Sequence, residues 1–152
     1  MQTWICDSCG NVIEKAEDGR VEWITIGTEK TGRDLRLVHR FGAGPKKKGC
    51  LHNEQAEFAK DEGTVADNEL TDFLGPDGLM RLLVFIAESE LPTNDVLQMI
   101  KRLHIPGYEQ AFRHFAEAIH EGVFEPNMPK DYYWQSDIIA TNQFITRQKR
   151  GV

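Results

Sequence analysis

The longest uninterrupted apolar run in this 152-residue chain, Leu82 to Ala87, is six residues. A helix that crosses a bilayer needs about 20 apolar residues, so a membrane span is excluded from the reading. The N-terminal segment is polar and bears cysteines, with none of the charged-then-apolar pattern of a secretory leader, and the expectation is a cytoplasmic protein. Positive charge is also in deficit. Eighteen Lys and Arg stand against 24 Asp and Glu, a formal net charge of -6, which weighs against broad binding to nucleic acid. The glycines form neither a P-loop nor a dinucleotide-binding loop, and no G-x-S-x-G elbow is present, which removes the commonest nucleotide and hydrolase signatures. Cysteine is scarce, at three residues, and an odd count is a poor disulfide framework.

What is there is unevenly spread. Hydrophobic residues make up 40% of the chain, enough for a packed core. All three cysteines fall in the first 50 residues, where nine basic residues exceed seven acidic ones; the rest of the chain carries nine against seventeen. The first part alternates short apolar stretches with turn residues. Val21 to Ile26 and Leu35 to Phe41 read as partner strands, with a turn expected at Thr31-Gly32-Arg33-Asp34. On the second strand, Leu35, Leu37, His39 and Phe41 share one face.

Asn53 caps an expected short helix over residues 53–62, Gly63 ends it, and Thr64 to Glu69 reads as a polar linker. Helical periodicity follows, with expected helices from Leu79 to Glu88, Asn94 to His104 and Ser136 to Arg147. The strongest pattern places Tyr108, Ala111, Phe112, Phe115, Ala116 and Ile119 on one helical face, stopped by Gly122. The expected architecture is therefore α+β: a zinc-stabilised β finger over residues 1–62, then a bundle of three or four α-helices over residues 63–152.

Cys6-x-x-Cys9-Gly10 has the spacing of a zinc knuckle, in which a tight turn points two thiolates at one ion. The glycine tolerates the backbone angles such a turn needs. Cys50 is the third thiolate, 41 residues after Cys9, a gap that a hairpin excursion can close. His39 and His52 compete for fourth place. His39 is slightly preferred, because an imidazole on the apolar face of a strand needs a partner. The short polar turn around Cys6 and Cys9 does not supply the strand and helix of a thioredoxin-type redox motif. His104, His114 and His120 lack a common helical face and read as surface histidines.

Knuckle, hairpin and further ligands near a helix start resemble a zinc ribbon or treble-clef finger over about residues 4–60. The resemblance implies a Zn2+ held by Cys6, Cys9, Cys50 and one histidine. Leu37-Val38-His39, followed by a Gly/Pro loop and Cys50, is also similar to the HNH nuclease finger; that likeness implies a metal-dependent nuclease in which His39 activates water. Here Arg40 follows the histidine and a second C-x-x-C is absent. Three functions come out of this reading. The first is a non-enzymatic adaptor that docks a protein partner or a second copy of itself. The second is a nucleic-acid-binding regulator using Arg36, Arg40, Lys46, Lys47 and Lys48. The third is a degenerate HNH-like metal-dependent nuclease using His39.

Overall fold

The computed structural model describes residues 2–27 and 30–151, in two compact units, Met1–His104 and Ile105–Val152. It has the α+β architecture with an N-terminal finger that the sequence leads one to expect.

In the first unit, β1 (Trp4–Ile5) and β2 (Val12–Ile13) form a two-stranded antiparallel ribbon around the knuckle, pairing Trp4 with Ile13 and Ile5 with Val12. A three-stranded antiparallel sheet follows. Its centre is β3 (Gly19–Ile26), flanked by β4 (Lys30–His39) and β5 (Thr64–Glu69). Val21, Glu22, Trp23 and Ile24 are buried in succession, as a central strand covered on both faces requires.

Two expectations need correction. Thr31 to Asp34 is not the hairpin turn, for it lies within β4, whose pairing with β3 runs out to Ile26 and Lys30. The turn-forming residues there make a β-bulge instead. Glu22 pairs with Arg36 and Ile24 with Arg33, so Asp34 and Leu35 together oppose Trp23, and Asp34 takes a φ of 57°. Thr64 to Glu69 is not a linker but strand β5, just beyond the expected boundary at 62/63, in continuous register with β3 from Thr25–Thr64 to Arg20–Glu69. Its polarity suits a sheet edge, where Asp67 receives a 2.8 Å bond from Arg20 and Asn68 one from Arg81.

Between β4 and β5 lies α1 (Glu54–Asp61), capped as expected: Asn53 Oδ1 accepts from the Ala56 N–H at 2.9 Å. It ends on Glu62 in the left-handed region, one residue before Gly63. Helices α2 (Gly75–Ala87) and α3 (Thr93–His104) complete the unit. Pro76 sits in the first turn of α2, where its missing N–H costs nothing. Gly78 is required there, since a Cβ would stand 2.0 Å from the Phe73 carbonyl carbon. Leu82 and Phe85 of α2 and Val96 and Met99 of α3 join Trp4, Ile13, Val21, Leu37, Leu70 and Phe73 in one core. Trp23 meets Phe85 edge-on at 5.0 Å.

The second unit contains α4 (Tyr108–Ala111), α5 (Phe115–His120) and α6 (Gln135–Arg150). The single helix expected over Tyr108 to Ile119 is broken by a 3-10 turn at Phe112–His114. Tyr108, Ala111, Phe115 and Ala118 are buried, Phe112 and Ile119 half-buried and Ala116 exposed. Gly122 stops the run as expected, at φ 75°. The Phe115 ring stacks on Tyr133 at 3.8 Å and packs edge-on against Phe124, with Ile138 of α6 in the same cluster. Among the described residues no helix is long and apolar enough to cross a membrane.

Candidate metal centre

Cys6 and Cys9 lie on the turn that joins β1 to β2. The turn is closed by bonds from Cys6 N–H to Asn11 O at 2.9 Å and from Gly10 N–H to Cys6 O at 3.0 Å, with Gly10 at φ 77°. The Cys9 N–H points at Cys6 Sγ, 3.5 Å away. His39 ends β4, and the loop after it folds back so that the Cys50 N–H donates to His39 O at 3.1 Å. Gly44 lets that loop pass over the imidazole; a Cβ there would stand 2.8 Å from His39 Cγ.

The ligand atoms of Cys6, Cys9, His39 and Cys50 all lie within 4.8 Å of one another. His39 Nδ1 is 3.4 Å from Cys9 Sγ and 3.7 Å from Cys50 Sγ. A tetrahedral ion with metal–sulfur bonds of ~2.3 Å and a metal–nitrogen bond of ~2.0 Å sets its sulfur and nitrogen ligands about 3.5 Å apart. These two nitrogen–sulfur separations match the spacing such an ion sets, and all four donors lie close enough to share one. His39 is also oriented for the task. Its Nε2 lies 3.1 Å from the Val12 carbonyl, which only accepts, so Nε2 carries the proton and Nδ1 turns its lone pair toward the sulfurs.

The thiols are electrostatically unequal. Burial works to raise Cys6, but the backbone around Cys9, Ser8 and His39 outweighs it and brings the thiol down to about 7. Burial, then the Cys6 and Cys9 sulfurs, push Cys50 up to about 12. One thiolate forms readily, and the third is opposed by its neighbours. A bound cation removes that opposition, which is why metal uptake at such a cluster releases protons.

Three further residues, unnoticed in the sequence, hold the ligand segments. Asp7, between the knuckle cysteines, accepts from the Leu37 N–H at 2.8 Å and from Arg102 of α3 at 2.8 Å, and Arg102 also donates to Ile5 O. Glu22, fully buried on β3, accepts from Arg36 at 2.7 Å and from the His52 N–H at 2.9 Å, while Arg36 donates to Cys50 O. The segment carrying Cys50 is thus fastened on both sides of the sulfur. No local pattern marks these pairs, because their members are 14 to 95 residues apart.

His52 stands outside the cluster, with Nε2 near Asp34 O and Glu22 and Nδ1 3.9 Å from Glu57. Arg36 is engaged with Glu22, and Arg40 donates to Glu17 O at 2.7 Å and Phe41 O at 2.8 Å. Lys46, Lys47 and Lys48 are exposed on the loop before Cys50. Comparison with protein-family models, curated proteins and solved structures gives no match.

Proposed function

We propose that the chain is a non-enzymatic protein-interaction module whose finger is held by one structural Zn2+ on Cys6, Cys9, His39 and Cys50. The observation that carries this is the commitment of all four donors to one another, with both His39 nitrogens in use. A Cys3His set fills the four positions that a structural zinc takes and leaves none for water or substrate. A water-activating role for His39 would need a ring nitrogen free to reach that water, so the same geometry weighs against the nuclease. The regulator reading draws support from Lys46 to Lys48 alone, since Arg36 and Arg40 are spent on bonds within the chain.

The test is elemental analysis of the full chain purified without added metal. It should give one zinc per chain, and Cys50→Ser should lose it. Metal-free protein with three freely titrating thiols overturns the zinc site. Metal-dependent cleavage of DNA or RNA that His39→Ala abolishes overturns the non-enzymatic reading.

A further inference from the structure

Helix α2 is apolar around nearly its whole circumference, a composition that belongs to helices covered on every side. Only part of it is covered. Gly78, Leu82 and Phe85 face the core, while Met80, Leu83 and Val84 on the other side remain 62%, 44% and 46% exposed. With exposed Ala87 they follow the i, i+3, i+4, i+7 spacing of one helical stripe.

The ends of the stripe are acidic. Asp77 precedes Met80 by three residues and Glu88 follows Val84 by four, so both lie in line with it, and both are exposed. Glu90 follows closely. Asp77 is well placed at a helix N-terminus. Glu88 is not: it caps the C-terminal end, where the last carbonyls already concentrate negative charge. Among the described residues Glu88 has no ion pair within 4 Å, while Lys30 lines the same concavity as Glu88 and Glu90; the exposed carboxylates beside the apolar stripe favour a cationic partner.

We propose that this face of α2 receives an amphipathic helix of a protein partner, with an apolar stripe and Lys or Arg near its ends. The proposal rests on the interaction-module reading and specifies the partner's chemistry. Glu88 follows Asp77 by eleven positions, about 16 Å along the axis, which sets the spacing of the partner's basic groups at roughly three turns. A second copy fits poorly. Antiparallel pairing of two α2 helices brings Asp77 against the other copy's Glu88 and Glu90, and parallel pairing sets like ends side by side; both juxtapose like charges. Met80 supplies the adaptable side chain such grooves favour.

The experiment uses the full metal-loaded chain and two synthetic helical peptides that share one leucine stripe, one flanked by lysines at three-turn spacing and the other by glutamates. The lysine peptide should bind at least tenfold more tightly, with affinity falling as salt rises, and should perturb NMR signals of Met80, Leu83 and Val84. Glu88→Lys should narrow or reverse the preference, and Leu83→Glu should abolish binding with the circular dichroism spectrum unchanged. Equal binding of both peptides, binding of neither, or perturbations away from α2 overturn the proposal. Sedimentation and zinc content on the same samples separate its failure from failure of the module reading. A dimer dissociated by Leu83→Glu overturns the basic-helix partner and retains the module, whereas a zinc-free chain strikes at the module itself.

Discussion

At the scale of single residues, His39 and His52 show how position overrides proximity in sequence. His52 lies two residues from Cys50, yet it faces Glu22 and Glu57, while His39, eleven residues away, turns Nδ1 onto the sulfurs. Replacement of His39 by Ala should therefore cost the metal, measured as accelerated release to a chromogenic chelator. His52→Ala should leave release within a few-fold of the parent. Equal loss from both variants would assign His52 a ligand role that its distances do not support. The strand alternation that sets Leu37 and His39 on one face was readable in the sequence, as was the knuckle spacing. Asp7, Glu22 and Arg102 were not, because a carboxylate in a sequence carries no mark of the distant arginine it will meet.

At the scale of elements, α1 is tied to β4 by one arginine. Arg33 reaches Glu57 at 2.8 Å and Asp61 at 2.9 Å and also contacts Asp34. Its hydrogen bonds hold the Glu57 and Asp61 carboxyls below their usual range, against the opposing pull of burial. Carboxyls whose folded pKa is depressed stabilise the fold above their unfolded values of about 4, and that stabilisation disappears as pH falls through the lower folded values. Wild type should thus be more stable than Arg33→Met above pH ~5, by denaturant unfolding, and the gap should close on acidification below pH ~4. A gap independent of pH would mean that the arginine acts through its apolar stem alone. Element boundaries were legible where a cap announced them, as at Asn53. They were not where turn chemistry was absorbed into a bulge at Asp34, or where an edge strand is polar enough to read as a linker.

At the scale of the whole molecule, the two units have separate cores and should respond to separate insults. Phe115 is buried against Tyr133 and Phe124, so Phe115→Ala should cost about 3–5 kcal/mol, a large share of the total for a small domain. Glu117, exposed on the same helix, should tolerate Ala with little change in the thermal midpoint. Retained stability in Phe115→Ala would recast the aromatic stripe as a surface. The α+β class was legible because the change from period 2 to period 3.6 is a property of whole segments. The break within Tyr108–Ile119 was not, since a 3-10 turn keeps nearly the same spacing. The central place of β3 also bears on biosynthesis. Its first neighbour, β4, follows within a few residues of translation, but its second, β5, begins 38 residues after Ile26. At about 5–20 residues per second the ribosome takes roughly 2–8 s to deliver it. Over that interval β3 lacks the strand that pairs its second edge from Arg20 to Thr25, and the Cys50 needed to close the finger is synthesised within the same wait. The open edge of β3 can be paired once β5 is made, but the core over Val21 and Trp23 closes only with Leu82 and Phe85 of α2 and Val96 and Met99 of α3, so the wait for burial outlasts the wait for pairing.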